Sequence, residues 1–194
     1  MDNKKHLQEL MCNIDEIEKN LETERQELPF VMITTIDKVT FEEKARYVII
    51  ELLESDGKSD YIGIKVDEQE KLYYLLSTVE TREVLHNIKK KLQNSKELLS
   101  SIQVIKPFEA ECDKYEEKGI YRVSLLDYRT VVKNQMARTQ FQKFCSANGI
   151  NIRKEMRYSS DLFSFMVELN RKEDMEKLCH FEGIASVKKG IPII

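Results

Sequence analysis

Between Ile120 and Val187 the apolar residues switch between a strand-like period of two and a helix-like period of about 3.6, in the order β-α-β-β-α-β, which few folds can accommodate. Ile120-Tyr121-Arg122-Val123-Ser124-Leu125-Leu126 alternates as a strand. Val131 to Asn148 reads as a helix burying Val132, Met136, Phe141 and Phe144, with Asn148-Gly149 as a left-handed cap. Ile150 to Met156 is the second strand, Tyr158-Ser159-Ser160-Asp161 a turn, and Leu162 to Leu169 the third strand. Asn170 is expected to cap a short helix through Met175 and Leu178, ended by Glu182-Gly183, before a last strand Ile184-Ala185-Ser186-Val187. This is the order of the split βαβ, the ferredoxin-like fold.

The upstream half is less regular. Leu7, Leu10, Met11, Ile14, Ile17 and Leu21 recur at three- and four-residue spacings and predict an amphipathic helix, which either packs on its own domain or forms a short dimer seam. After Pro29 the residues become β-prone in three runs, Phe30 to Ile36, Arg46 to Leu53 and Tyr61 to Val66. Asp56-Gly57 between the last two suits a hairpin turn that would pair them. From Asp67 a helical face of Leu72, Leu75 and Leu76 is expected, and Ser77-x-x-Glu80 reads as a capping box opening a helix with Val84, Leu85, Ile88 and Leu92. A helical turn from Leu98 leads into a strand Ile102-Gln103-Val104-Ile105, stopped at Pro107. The chain is therefore expected to be α+β: an N-terminal helix over 1–28, a small antiparallel α/β domain over 29–107, an acidic linker from Glu109 to Lys118, a ferredoxin-like domain over 119–189 and an extended tail over 190–194.

Charge and composition exclude several classes. The 34 acidic and 31 basic residues are interspersed, so no bulk field favours nucleic acid or an anionic membrane. No run of apolar residues is long enough to span a bilayer, and the charged N-terminus lacks a signal-peptide core, which points to a cytoplasmic protein. Cys12, Cys112, Cys145 and Cys179 stand far apart and are expected to be reduced thiols. His6, His86 and His180 are isolated and read as surface or cap histidines, so no metal site is expected. Without a nucleophile elbow, HExxH or glycine-rich phosphate loop, no catalytic residue and no cofactor is assigned. Lys89-Lys90-Lys91 reads as a solvated helix face. Phe163 and Phe165 share a strand face, yet they lack the glycines and basic residues of an RNA-binding signature and are expected in the core.

The C-terminal Gly190-Ile191-Pro192-Ile193-Ile194 has no polar side chain to solvate it. Pro192 biases Ile191 to an extended conformation, the form in which a peptide adds to a partner's cleft edge. The other reading folds the tail back on its own sheet.

Phe141 to Asn151, Leu162 to Leu169, the helix through Leu178 and Gly183 to Pro192 together resemble the propeptides of subtilisin-like serine proteases, whose last strand leads into a tail lying in the protease cleft. Tyr61 to Ile88 and Leu98 to Pro107 are similar to the N-terminal region of bacterial intracellular subtilases associated with an AAA-type ATPase. The resemblance implies a propeptide-like chaperone and inhibitor, with a subtilisin-like protease as partner on the same precursor or a separate chain, and an associated AAA-type ATPase as a further partner. In that reading Gly190 is a hinge, Ile194 lies beside the nucleophile, Ile191 fills an apolar pocket, and Pro192 and Ile193 stay extended between them. The Asp-Ser/Thr-Gly, His-Gly-Thr and Gly-Thr-Ser segments of a subtilase are absent, so this chain is not itself the protease. The alternative is a stand-alone interaction adaptor, related to phage or bacterial defence and with no protease link. A third reading, an RNA-binding domain, is disfavoured by the acidic balance.

Overall fold

The computed structural model describes residues 2–23, 28–159 and 161–190, and the chain divides into two compact units, Met1–Phe108 and Glu109–Ile194. The protein is α+β throughout. In the first unit α1 (Asn3–Thr23) precedes β1 (Phe30–Asp37), α2 (Lys38–Thr40), a π-helical turn Phe41–Ala45 and α3 (Arg46–Leu53). There follow β2 (Tyr61–Asp67), β3 (Leu72–Val79), α4 (Arg82–Asn94), α5 (Lys96–Ser101) and β4 (Ile102–Pro107). The strands pair antiparallel in the order β2-β3-β1-β4. Counted from the other edge this is fourth, first, third, second, so the first unit too has the ferredoxin-like arrangement, behind an added helix.

That result corrects three expectations. Arg46 to Leu53 is helix rather than strand, although it holds three β-branched residues. Phe41, Ala45, Ile49 and Leu53 recur every four residues and are all buried, while Tyr47 is 86% exposed, so helical burial of one face outweighs local β preference. Leu72 to Val79 is strand rather than helix: Tyr73, Leu75, Ser77 and Val79 alternate toward the helices, and Ser77 lies buried within β3 instead of opening a capping box. The hairpin accordingly joins β2 to β3, where Asp67 Oδ1 accepts from the backbone N–H groups of Gln69 (3.1 Å) and Glu70 (3.0 Å), and Lys71 takes φ of 54°.

Asp56-Gly57 makes a different turn, from α3 into β2. Gly57 has φ of 70°, and the Asp56 carboxylate accepts from the Lys58 N–H (2.9 Å), the Ser59 N–H (2.6 Å) and the hydroxyls of Ser59 (2.7 Å) and Thr81 (2.6 Å). Burial would raise this carboxyl, but these donors outweigh it and hold the pKa down at about 2. Thr81, which stands at the N-cap of α4, is thereby tied to the turn.

Leu10, Ile14 and Ile17 of α1 are buried with Val84, Leu85, Ile88 and Leu92 of α4 and with Leu98, Leu99 and Ile105 in one cluster, so α1 packs on its own unit. His6 is buried, not on the surface. Its Nε2 reaches the carbonyls of Leu99 (3.1 Å) and Ile102 (2.7 Å), and because both are acceptors this nitrogen carries the proton. His86 and His180 are the exposed ones: His86 lies 3.6 Å from Glu18, and the His180 ring donates to the Glu176 carbonyl at 2.6 Å.

The second unit runs β5 (Glu111–Cys112), β6 (Gly119–Leu125), α6 (Val131–Ala147), β7 (Asn151–Arg157), β8 (Phe163–Leu169), α7 (Lys172–Cys179) and β9 (Ile184–Lys189). Its sheet order β5-β9-β6-β8-β7 is the ferredoxin-like order with one strand added. Phe141 sits against Phe165 and Phe181, with ring centroids 4.7 and 5.8 Å away, at the centre of a core that includes Tyr121, Val123, Phe163, Val167, Leu178 and Val187. Gly149 takes φ of 67° after α6, as the Asn-Gly pair predicts. Two side chains expected in this core are outside it: Val132 is 73% and Met136 38% exposed, because the buried stripe of α6 runs through Asn134, Ala137, Phe141 and Cys145 instead. Arg171 rather than Asn170 stands at the N-cap of α7.

The cysteines are the remaining correction. Cys112 and Cys179 form a disulfide that joins β5 to the end of α7, whereas Cys12 is free and exposed and Cys145 free and buried.

Candidate binding face of the second unit

Helices α6 and α7 pack on one face of the second sheet, so the strand period of two turns every other residue to the face that no helix of this unit covers. Cross-strand register sets the rows on that face. Lys188, Arg122, Met166 and Lys154 form one row, and Ser186, Ser124, Ser164 and Met156 the next. Ile120, Glu168 and Asn151 make a third. Phe163 and Phe165 lie on the opposite, helix-covered side, so neither can stack a base there.

An open groove of about 530 Å³ runs over this face, lined by Arg122, Ser124, Met156, Met166, Lys188 and Gly190 among others. Arg122 projects its guanidinium over the Tyr158 ring, 5.2 Å from the centroid, and Tyr158 is itself exposed. Arg153 Nε donates to Glu168 at 2.9 Å, and Lys118 lies 3.8 Å from the same carboxylate. The Arg153 hydrogen bond holds the Glu168 pKa below its ordinary value. The groove is thus part apolar, through two flexible methionines, and part cationic, a mixture suited to a partner surface.

Of the five tail residues singled out from sequence, the structure describes Gly190; Ile191, Pro192, Ile193 and Ile194 lie outside the described residues. Gly190 is not a free hinge. Its N–H donates to the Ile120 carbonyl at 3.0 Å, extending the β9–β6 ladder. A Cβ on this residue would stand 2.8 Å from the Ile120 oxygen and 3.0 Å from Met166 Cε, so only glycine lets the chain pass so close to β6. Gly190 thus ends the described chain as one of the residues that line the groove.

Among the described residues no group of three or more His, Cys, Asp or Glu side chains is placed to hold a metal ion. No helix among them is long and apolar enough to cross a membrane. Two buried hydroxyls on the helix side of the first sheet, Thr34 and Ser77, have no hydrogen-bond partner among the described residues. Apart from Gly190, the groove residues escaped sequence reading because they are polar and apolar in turn without a motif, and only strand register assembles them.

No family model matches the sequence, and no curated protein matches it. Among solved structures, one described as a proposed glycine cleavage system transcriptional repressor is 10% identical, with 79% of this chain and 87% of that chain covered at a TM-score of 0.30. An unknown protein from Galdieria sulphuraria is 5% identical, with 84% of this chain and 99% of that one covered at a TM-score of 0.29. At these scores neither likeness carries an argument about function.

Proposed function

We propose that this chain is a non-catalytic binding protein that acts on a subtilisin-like serine protease as a propeptide does, assisting its folding and holding it inactive with Ile191 to Ile194 in the cleft. The observation that supports the reading is the position of Gly190: the last strand of a ferredoxin-like sheet ends there, at an open groove, immediately before Ile191 to Ile194 in the sequence. Inhibition of this kind needs positioning and no chemistry. The ATPase association is proposed on the sequence resemblance alone.

The test compares the full chain with a version ending at Gly190, each titrated against a purified bacterial intracellular subtilisin-like protease. Loss of Ile191 to Ile194 is expected to weaken inhibition at least a hundredfold while the circular dichroism spectrum stays the same. Equal inhibition by both, or none by the full chain, removes the reading.

A second reading, a stand-alone interaction adaptor with no protease link, is supported by the part apolar, part cationic groove on the second sheet, a surface suited to a partner of another kind. Native co-purification separates the two: a partner without the Asp, His and Ser segments of a subtilase supports the adaptor.

A further inference from the structure

Residues 109–118 carry five carboxylates, Glu109, Glu111, Asp113, Glu116 and Glu117, and run along the outer edge of β9. The strand pairing itself is short: Glu111 faces Ser186 and Cys112 faces Val187 in parallel register. Around it the Asp113 N–H donates to the Val187 carbonyl and the Lys189 N–H to Asp113 Oδ2, both at 2.8 Å. Lys188 lies 3.4 Å from Glu111, and Lys189 lies 3.1 Å from Glu117 and 3.7 Å from Glu116. These ion pairs are exposed and individually weak, and a two-residue strand has little cooperative strength. Ala110, Cys112 and Tyr115 are partly buried against the core, Tyr115 stacks on Tyr121 with ring centroids 6.0 Å apart, and the Tyr121 hydroxyl donates to the Glu117 carbonyl at 2.9 Å. The covalent restraint in the segment is Cys112–Cys179, which joins it to α7 across 67 residues of chain.

We propose that Cys112–Cys179 is a thiol-operated latch that fastens the acidic segment Glu109–Lys118 to the edge of β9, so that its redox state sets how much chain is free after Phe108 and whether that edge is open to pairing. With the latch closed, Phe108 is fixed by its N–H to the Val31 carbonyl (2.8 Å) and Glu111 by β9, leaving Glu109 and Ala110 between them. With it open, Glu109 to Lys118 can come away, a stretch of about 35 Å when extended. The same release bares the ladder groups of β9 beside Lys188 and Lys189, an edge suited to an extended acidic peptide such as the one that leaves it.

The chemistry balances with a dithiol as reductant. Its thiolate attacks one sulfur of the Cys112–Cys179 bond, forming a mixed disulfide and expelling the other cysteine as thiolate. The second thiol of the reductant then displaces the remaining cysteine. Two electrons pass to the protein, which ends with two thiols, and the dithiol ends as an internal disulfide. Closing the latch is the reverse exchange with a disulfide donor. Cys145 does not compete, because it is buried and its thiol is pushed up to about 12 by that burial.

The experiment uses the full chain, oxidised or treated with dithiothreitol, under limited trypsin digestion with mass spectrometry of cuts after Lys114 and Lys118. Hydrogen exchange is followed at the Asp113 and Lys189 amides, with Val123 and Phe165 reporting the core of the same unit. Reduction is expected to speed both cuts and both segment exchanges at least tenfold more than it speeds exchange at Val123 and Phe165, which follows the global stability of the unit, and Cys112→Ser is expected to behave like the reduced chain without reductant. Rates within twofold of the oxidised chain would overturn the latch. So would cutting and segment exchange that rise no more than exchange at Val123 and Phe165, since the segment would then open only when the whole unit unfolds.

Discussion

The two units reach one strand order by different means. The first adds α1, whose Leu10, Ile14 and Ile17 close the core over α4, and fixes its α3–β2 turn with the hydrogen-bonded Asp56 carboxylate. Among its described residues the second has no such added helix; it adds β5 at the sheet edge and a disulfide instead. A small ferredoxin-like unit buries limited apolar area, so each supplement supplies stability the four strands and two helices do not provide alone. The lesson is that topology sets where a supplement can attach, a helix face in one unit and an open strand edge in the other, while local sequence sets which is used.

The contrast can be broken by substitution. The largest effect is expected at the centre of the second core: Phe141→Ala removes a side chain in contact with Phe165 and Phe181 and should cost about 3–5 kcal/mol in urea denaturation. A cost near 1 kcal/mol would show that the disulfide, not the aromatic core, dominates that unit. Next, Cys112→Ser is expected to lower stability by about 2–4 kcal/mol at equilibrium, through the freedom it returns to the unfolded chain.

Asp56→Ala in the first unit should cost about 1–2 kcal/mol, since it strands the hydroxyls of Ser59 and Thr81. Its pH dependence sharpens the point. The folded pKa of about 2 lies below the ordinary 3.8, so the stabilisation from this carboxylate is full above pH 4 and is lost as the pH falls from there through 2. Asp56 is half-buried, and solvent screening on its open side reduces the pH-dependent part to about 1 kcal/mol. Urea midpoints of the native chain and Asp56→Ala should therefore converge as pH approaches 2; a gap that stays constant with pH would place the effect elsewhere. The smallest effects are expected at Tyr47→Lys and Val132→Lys, within about 0.5 kcal/mol each by the same measurement, because both side chains face solvent. A cost above 1 kcal/mol at Tyr47 would show that this side chain is packed rather than solvated.

What could be read from residues alone followed burial on one face. In the second unit each strand has one covered side and each helix one buried stripe, so Tyr121, Val123, Phe165 and Val167 keep a clean period of two, and Asn148-Gly149 marks the helix end. In the first unit β3 is apolar on both sides, Tyr73 and Leu75 toward the helices and Leu76 with them in sequence but on the other face, and its period of two is lost to the eye. The reverse happened in α3, where Val48, Ile49 and Ile50 favour strand locally but the chain gains more by burying Phe41, Ala45, Ile49 and Leu53 together. The tail was conspicuous by composition. The groove beside it was not, because Arg122, Met156, Met166 and Lys188 come from four strands and share no motif.

By itself the sequence determined the α+β class, the β-α-β-β-α-β order that follows β5 in the second unit, the helix at the N-terminus and the apolar character of the last residues, because these depend on local period and caps, whereas β5 falls in the stretch that reads as a linker. Only the tertiary structure decided that the first unit repeats the same strand order, that Gly190 is pinned to Ile120, that His6 is buried and that Cys112 meets Cys179. Each of these rests on groups brought together from separate elements, at distances along the chain over which residue pattern carries no information.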